Sequence, residues 1–263
     1  MTSILTDEQW AQHQQKGYLR LGRVTSDEDL KALQARIDAI MLGEADLDYS
    51  RILMQLDSPD GKYENAGEQS PGHKGATLAY RKIQDLEQDD LFLEFMERPI
   101  FREICAREYG AQTPIAAFRA MFMNKPAHQG TLLPWHQDRW SDLDRDPLVT
   151  LWTALDPATV ENGCVQIIEG SHQFGLLNPE HPSGYVTPAQ ADELLGKYPV
   201  VPLELEAGHA VLLHNWLLHA SDKNHSAQSR RAFSVCYMDG ETQSQSGARF
   251  TRVFEGEMAG AAR

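Results

Sequence analysis

Cysteine is scarce in this sequence, and its cysteines do not occur as close pairs. Cys105, Cys164 and Cys236 are widely separated, and none belongs to a C-x-x-C motif. A small, odd number of cysteines argues against a disulfide framework and is typical of the reducing cytosol. We therefore expect a cytoplasmic protein whose cysteines behave as small buried apolar residues.

Long apolar runs are also missing from the chain. No stretch approaches the ~18 consecutive apolar residues of a membrane-spanning helix. Residues 1–8 have neither the basic segment nor the apolar segment of a secretory signal. The sequence therefore predicts a protein without a membrane partner and without a signal peptide.

Positive charge is in short supply. The 24 lysines and arginines are outnumbered by 38 acidic residues, which gives a formal net charge of -14 at pH 7. Nucleic-acid binding needs a basic surface for the phosphates, so we expect no nucleic-acid partner. The same charge mildly disfavours a large polyanionic substrate, unless a basic pocket reverses the field locally.

What the chain does contain is a helical first part followed by a strand-rich second part. Helices are predicted over residues 6–15, 26–41 and 89–109, with short strands at 18–21 and 77–84. Residues 43–77 show no clear period. After Gly110, turn sequences separate seven candidate strands, namely 115–124, 132–137, 148–155, 165–168, 200–205, 210–214 and 230–238.

Helices first and strands later, without regular βαβ alternation, predict an α+β fold with a mainly β core. Many short strands favour a jelly-roll double sheet with helices packed outside it. The length of 263 residues is compatible with one domain. We expect a single domain over residues 1–263, in which a helical part of about 1–112 packs on a β core of about 113–240.

The first motif with chemical content is His136-x-Asp138. Residues i and i+2 of a strand point to the same face, so one imidazole and one carboxylate can reach the same ion. His219 can supply a third ligand. Two histidines and one carboxylate leave the other side of an ion open, which favours non-haem Fe(II) and oxygen chemistry. Alone, the pair is weak evidence in a chain with 10 histidines and 38 acidic residues.

A pair of arginines, Arg230 and Arg231, opens the last predicted strand shortly after His219 and Asn224. A guanidinium at this place can bind a small carboxylate as a two-pronged fork. Adjacent residues of a strand point to opposite faces, so only one of the two arginines is expected to enter the site.

Further motifs occur in a fixed order around these residues: Lys82-Ile83-Gln84-Asp85, Met121-Phe122-Met123-Asn124-Lys125-Pro126, Trp152-Thr153-Ala154-Leu155, Glu161-Asn162-Gly163-Cys164, Gly170-Ser171-His172 and His219-Ala220-Ser221. Together with His136-Gln137-Asp138, Asn224 and Arg230, they resemble the phytanoyl-CoA dioxygenase family of Fe(II)- and 2-oxoglutarate-dependent oxygenases. The resemblance covers roughly residues 77–238. It implies a double-stranded β-helix, a cupin-like jelly roll.

The resemblance also implies roles for individual residues. His136, Asp138 and His219 would be the Fe(II) ligands. Arg230 would bind the distal carboxylate of 2-oxoglutarate, helped by the Ser221 hydroxyl. The other residues expected to line or touch the cosubstrate pocket are Lys82, Met121, Trp152 and Gln137.

Several of these roles have competitors. His214 is a rival of His219, and Arg231 is a rival of Arg230, although the order of the family residues favours His219 and Arg230. His172 is expected to be structural, through a hydrogen bond in its turn. Lys82 has an alternative role as an exposed residue, and Met121 and Trp152 have one as ordinary core residues.

In this class, Fe(II), O2 and 2-oxoglutarate oxidise a substrate with release of succinate and CO2. Asp138 favours hydroxylation over halogenation, because related halogenases have a small residue at this position. Desaturation and ring chemistry by the same oxidant stay open as alternatives. We expect a free small molecule as the substrate, with Arg139 and Trp140 as candidate contacts. Residues 44–76 and 174–198 are candidate lids over the site.

Two other functions would use the same residues. A Zn(II) hydrolase needs three such ligands and a water molecule, but it leaves Arg230, Ser221 and Lys82 without a role. A non-catalytic jelly-roll binding module is the second alternative. The intact ligand set and the intact arginine count against it. The sequence does not predict an oligomeric state.

Overall fold

Two antiparallel β-sheets face each other, and most of the helices pack on the outer face of the larger sheet. The computed structural model describes residues 4–182 and 184–256. The α-helices in these ranges are α1 (Asp7–Lys16), α2 (Asp27–Leu42), α3 (Asp90–Met96), α4 (Pro99–Tyr109) and α5 (Pro188–Leu195). None of them is long and apolar enough to cross a membrane.

The ends of the first helices follow from their capping residues. The Thr6 hydroxyl accepts a hydrogen bond from the backbone of Gln9, whose side chain bonds back to the backbone of Thr6. The helix α1 ends at Gly17, where the left-handed φ of 79° favours glycine. Ser26 caps α2 in the same way, and Gly43 ends it. Both predicted helices are confirmed to within a residue or two.

The larger sheet has nine strands. Its members are β1 (Tyr18–Arg23), β2 (Leu53–Leu56), β3 (Ser70–Pro71), β4 (Tyr80–Gln84), β5 (Ile115–Lys125), β7 (Val149–Ala154), β10 (His209–His214), β12 (Arg230–Asp239) and β13 (Thr251–Phe254). They are paired in the order β1-β10-β7-β12-β5-β4-β2-β3, and β13 pairs with the start of β5. The long β5 and β12 form the centre of this sheet.

The smaller sheet has four strands, β6 (Leu133–His136), β8 (Val165–Ile168), β9 (Val200–Leu203) and β11 (His219–Ser221). They are paired in the order β6-β11-β8-β9. Two facing antiparallel sheets built from the second half of the chain form the predicted double-stranded β-helix.

Alternation along β12 divides its side chains between two environments. Phe233 and Val235 enter the core under the helices, and Arg231 points to the same side. Arg230 and Ser234 point into the space between the two sheets. The two faces of this strand therefore serve two purposes, one for packing and one for the site.

A continuous hydrophobic core holds the helices to the larger sheet. It joins Ile37 of α2, Phe92 of α3 and Phe101 of α4 to Phe122 and Phe233 of the central strands. The rings of Phe92 and Phe233 are 4.7 Å apart. This shared core supports the prediction of one domain, which stays a prediction.

The division into a helical part of about 1–112 and a β core of about 113–240 stays a prediction, and strands were expected in the first part only at 18–21 and 77–84. Strands β1 to β4 lie before residue 113 and extend the larger sheet, and β13 lies after residue 240. Residues 43–77, expected to be irregular, contain β2 and β3. Helix α5 and strands β11 and β13 were also not predicted as elements. Segments of two to four residues are too short to show a period, and their pairing is set by tertiary contacts.

Three histidines meet where α1 packs against β10. His13 is 2 % exposed, and the rings of His172 and His214 are 4.9 Å apart. Burial, followed by the nearby His214 and His172, lowers the pKa of His13 to about 3. Burial, followed by His172, lowers the pKa of His214 to about 4. The rings of His13 and His214 are therefore neutral in the folded protein at neutral pH.

Buried neutral histidines predict a loss of stability in mild acid. In the unfolded chain they take up a proton near pH 6.5, whereas in the folded chain they do so only near pH 3 to 4. As the pH falls below 6.5, the free energy of unfolding should decrease by about 1.4 kcal/mol per pH unit for each such histidine. In His13→Gln, the free energy of unfolding, measured in urea at pH 7, 6 and 5, should depend less steeply on pH, by up to about 1.4 kcal/mol per pH unit.

The exposed His225 provides the control for this experiment. His225→Gln should leave the pH dependence of unfolding unchanged. The same slope in His13→Gln as in the unmodified protein would contradict the assignment of the neutral state to His13.

Candidate active site

Pairing of β6 with β11 brings two histidines side by side. His136 and His219 are direct partners in this antiparallel ladder, and their ring centroids are 4.1 Å apart. Asp138 lies two residues beyond His136, and its two oxygens are each 3.8 Å from one of the Nε2 atoms. Ligand atoms at about 2.1 Å from a common ion are at most ~4.2 Å apart, so these separations are compatible with a shared metal ion.

Backbone carbonyl groups fix the orientation of both rings. The Nδ1 atom of His136 donates to the carbonyl oxygen of Pro134 (2.8 Å), and that of His219 donates to the carbonyl oxygen of Leu217 (2.9 Å). Each bond occupies Nδ1 and leaves Nε2 directed at Asp138, as a metal ligand requires. Burial, followed by the neighbouring His219, lowers the pKa of His136 to about 3, which keeps that ring neutral.

Asn215 holds the segment that carries Asp138. The backbone N–H of Asp138 donates to the carbonyl oxygen of Asn215 at 2.7 Å. The side chain of Asn215 is buried and is itself bonded to the Thr150 hydroxyl and to Sγ of Cys236. Asn215 thereby connects the segment after β6 to strands β7 and β12 of the larger sheet. Sequence reasoning did not identify this residue.

The three residues open into a cavity of about 290 Å³ between the two sheets. Its wall combines both sheets with three connecting segments. The larger sheet contributes Arg81, Lys82, Arg119, Met121, Met123, Thr150, Trp152, Leu213, Arg230 and Ser234. The smaller sheet contributes Leu133, His136, Val165, His219, Ala220 and Ser221, and the connecting segments contribute Tyr63, Gln69, Asp138, Trp140 and Tyr185.

Arg230 is buried beside this cavity, and part of its guanidinium lacks hydrogen-bond partners among the described residues. It is 2 % exposed, and its Nε and Nη1 atoms have no hydrogen-bond partner among the described residues. Its guanidinium carbon lies 5.4 Å from the ring centroid of Trp152. Burial lowers the pKa of Arg230 to about 10, so it remains charged at neutral pH. Two free donors on one guanidinium suit a carboxylate.

The neighbouring Arg231 has a different role. Its Nε atom donates to Asp156 at 2.7 Å, and its Nη1 atom donates to Asp38 of α2 at 2.5 Å. Those two acids raise the pKa of Arg231 above its usual value, despite an opposing effect of burial. The charge of Arg231 is thus neutralised on the helix side of β12, and Arg230 is the arginine that faces the cavity.

Four further residues expected at the cosubstrate pocket do line the cavity: Ser221, Lys82, Met121 and Trp152. Burial, followed by the nearby Arg119 and Arg81, lowers the pKa of Lys82 to about 7. Lys82 is therefore not the exposed lysine that was its alternative. A nearby anion would restore its full charge.

Gln137 and Arg139 are placed differently from the prediction. The Gln137 amide donates to the carbonyl oxygens of Gly175 and Trp216 and accepts from the backbone of Leu177. These bonds tie Gln137 to Gly175, Leu177 and Trp216, and its side chain does not line the cavity. Gln137 is therefore removed from the expected cosubstrate contacts. Arg139 donates to the carbonyl oxygen of Pro179 and does not line the cavity. Trp140 does line it.

The rival histidines lie away from the cavity. Nδ1 of His214 accepts from the backbone N–H of Trp216, and Nε2 of His172 donates to the carbonyl oxygen of Gln14. His172 is structural, as predicted, although its bond ties α1 to the core rather than closing its own turn. Among the described residues, His219 and not His214 joins His136 and Asp138.

Arg119 and Tyr185 were missed by sequence reasoning. Arg119 lies two residues before Met121 on β5, so the alternation that placed Met121 in the cavity also points to Arg119. Tyr185 stacks on His136 at 4.9 Å and lies 5.2 Å from Tyr63. Tyr63 and Tyr185 come from the two candidate lid segments, where no period marks a residue as facing the site.

Similarity to known proteins identifies the family. The model of the phytanoyl-CoA dioxygenase family matches residues 13–232. The chain belongs to the phytanoyl-CoA dioxygenase family. It is therefore an enzyme of the Fe(II)- and 2-oxoglutarate-dependent dioxygenase class, and the expected resemblance is confirmed.

Individual members of the family differ considerably in sequence from this chain. A probable phytanoyl-CoA dioxygenase of Caenorhabditis elegans is 27% identical over 245 residues, which cover 89% of this chain and 76% of the worm protein. The mouse phytanoyl-CoA dioxygenase domain-containing protein 1 is 34% identical over 162 residues, 54% of this chain and 53% of the mouse protein.

A solved structure confirms the fold. EctD from S. alaskensis, crystallised with 2-oxoglutarate and 5-hydroxyectoine, matches with a TM-score of 0.71. The match covers 92% of this chain and 79% of EctD, with 16% sequence identity. At this identity the likeness shows the double-stranded β-helix and not the substrate.

The cluster of His136, Asp138 and His219 predicts the loss of metal when one member is removed. Changes to residues that only support a ligand already weaken metal binding by roughly 10- to 100-fold. We therefore expect Asp138→Ala and His219→Ala to weaken Fe(II) binding by more than roughly 100-fold, measured by anaerobic equilibrium dialysis.

His214→Gln is the matched control, because His214 is the sequence rival that lies outside the cluster. It should keep Fe(II) affinity within about threefold, with circular dichroism as the test of folding. Loss of iron in His214→Gln with its retention in His219→Ala would overturn the assignment.

Proposed function

We propose that the chain is a dioxygenase that hydroxylates an unactivated C–H bond of a small organic substrate and releases succinate and CO2. One observation carries this proposal. A cluster of two imidazoles and one carboxylate shares its cavity with a buried guanidinium, two of whose donors have no partner within residues 4–182 and 184–256.

His136, Asp138 and His219 are the proposed Fe(II) ligands. Their Nε2 and carboxylate atoms converge from one side, the side of the smaller sheet and the segment that follows β6. Three ligands on one side of an octahedral ion leave positions for a chelating cosubstrate and O2. The carbonyl groups behind both rings keep the ligand atoms directed at the ion.

Arg230 is the proposed anchor for 2-oxoglutarate. Its unpaired Nε and Nη1 atoms would bind the distal carboxylate as a fork, and Trp152 supports the guanidinium. The Ser221 hydroxyl lines the same part of the cavity and can donate to that carboxylate. Lys82 lies nearby and adds positive charge when an anion is bound.

Together, Fe(II), 2-oxoglutarate and O2 supply the oxidant for a C–H bond. The contribution of the chain is to bind, orient and exclude water. Tyr185 covers His136 by stacking, and Tyr63 packs against Tyr185. A cavity of about 290 Å³ accommodates the cosubstrate and a small substrate, which supports a small molecule.

Hydroxylation is proposed over halogenation because of Asp138. A carboxylate at this position supplies the third protein ligand. A halide would need the coordination position that this carboxylate occupies. Asn215 fixes the backbone of Asp138, which keeps the carboxylate in place.

A Zn(II) hydrolase on the same three residues is the principal competing function. It does not use the unpaired donors of Arg230, which cost stability when buried without a partner. A binding module without catalysis would give no role to the cluster that contains His136 and Asp138 and that faces an accessible cavity. The dioxygenase uses all of these features.

The test of this proposal is anaerobic. Fe(II) and then 2-oxoglutarate are added to the metal-free protein, and the visible spectrum is followed for the weak charge-transfer band of a bidentate chelate. We expect the band in the unmodified protein and its absence in His219→Ala. Iron bound without the band would remove the cosubstrate from the proposal and favour the competing functions.

If Arg230 is the anchor, the affinity for 2-oxoglutarate should depend on its side chain. Loss of a hydrogen-bonded charge pair costs about 1.5 to 3 kcal/mol, or roughly 10- to 150-fold in affinity. Arg230→Ala should weaken 2-oxoglutarate by this factor, measured by titration of the visible band. The 2-oxoglutarate affinity of Arg230→Lys should lie between those of the unmodified protein and Arg230→Ala, because lysine keeps the charge and loses the two-pronged hydrogen bonding.

Arg231→Ala is the matched control. It removes the pairs with Asp156 and Asp38 and should lower the melting temperature without changing the titration of 2-oxoglutarate. Weaker 2-oxoglutarate binding in Arg231→Ala alone would transfer the anchor to Arg231.

A further inference from the structure

Arg119 lies at the opposite end of the cavity from Arg230. In the ladder between β5 and β12, Arg230 is the partner of Lys125, whereas Arg119 is the partner of Cys236. Cys236 lies six positions after Arg230, which corresponds to about 20 Å of strand at ~3.4 Å per residue. Both arginine side chains line the same cavity.

Among the described residues, the Arg119 guanidinium forms no ion pair and no hydrogen bond. Its closest contacts are aromatic: the guanidinium carbon lies 4.6 Å from the ring centroid of Trp140 and 5.0 Å from that of Phe118. These two rings are themselves packed at 4.5 Å. Stacking fixes the plane of a guanidinium and leaves its N–H donors available at the edge.

The cosubstrate does not account for Arg119. 2-Oxoglutarate is a short dicarboxylate, and its proposed position runs from Arg230 to the metal ligands. The carboxylates of Asp138 and Asp85 act on the charge of Arg119 from a distance, and neither forms an ion pair with it among the described residues. A second carboxylate-sized anion is therefore needed to pair with Arg119.

The charge of the cavity leads to the same conclusion. Arg81, Arg119 and Arg230 contribute three positive charges to the lining, and Asp138 contributes the single negative charge, which leaves a net of two before Lys82 is counted. Fe(II) and the dianion of 2-oxoglutarate cancel each other. The loaded cavity is thus positive, although the whole protein carries a formal net charge of -14. Such a local field favours an anionic substrate.

We propose that Arg119 selects a small organic acid as the substrate, by pairing with its free carboxylate while the rest of the molecule lies along Trp140 toward the metal ligands. This inference rests on the proposed function. A coenzyme A thioester presents a neutral carbonyl group in place of the carboxylate and cannot form this charge pair. The free acid is therefore the substrate form.

The test uses the full chain loaded anaerobically with Fe(II) and saturating 2-oxoglutarate, with the visible band as evidence of loading. Octanoate, 3-phenylpropanoate and indole-3-acetate are titrated by calorimetry, each against its own amide, and octanoate also against octanoyl-coenzyme A. We expect at least one acid to bind at least about tenfold more tightly than its amide. In Arg119→Met the two should bind within about twofold, and Arg119→Lys should recover part of the preference.

Arg145→Met is the charge-matched control, since Arg145 is paired with Asp239 away from the cavity, and it should keep the full preference for the acid. The inference is overturned if no acid binds better than its amide, if the preference survives in Arg119→Met, or if octanoyl-coenzyme A binds more tightly than octanoate. An unchanged visible band in these experiments separates that outcome from failure of the proposed function. Absence of the band in the unmodified protein would bring down both.

Discussion

The register between β6 and β11 is the constraint on which the site depends. It sets His136 opposite His219, and each ring is then oriented by the carbonyl group two residues before it in the chain. A slip of one residue would turn one ring to the other face of the smaller sheet. Because β11 has only three residues, its register is maintained by β8 on its other side and by the loop pinned by the buried Asn224. The proposed metal site is thus an outcome of strand pairing.

The cavity concentrates positive charge that the protein itself does not neutralise. Arg230 is buried with unpaired donors, and burial shifts the pKa of Lys82 far below its usual value. Uncompensated buried charge lowers stability. The continuous core beneath the helices offsets that loss. Anions that bind these groups only in the folded state raise stability by mass action, so the cofactor-loaded form is the more stable one.

Much of the fold could be predicted from the sequence, because capping residues and long periodic segments carry local information. Thr6, Gly17 and the apolar face of α2 are examples. The short strands β2, β11 and β13 carry none. In the site, alternation correctly indicated that only one of Arg230 and Arg231 enters the cavity. Gln137 was expected to touch the site because it lies between two ligands, whereas alternation points its side chain to the opposite face, toward Gly175 and Leu177. Alternation was also not extended from Met121 to Arg119. Tyr185 lies in a loop without a period and could not be predicted.

Tyr63 and Tyr185, which lie over the cavity, differ from the metal-binding cluster in how freely they can be substituted. Metal ligands and the proposed cosubstrate anchor lie on or directly beside paired strands, where a change disturbs the whole ladder. Tyr63 lies in a short turn of helix and Tyr185 in a connecting segment, and they meet through ring contact. Substitutions there reshape the roof without unpairing a strand. Changes in these two segments therefore alter the surface that a substrate meets without disturbing the strand pairs that hold the proposed metal ligands.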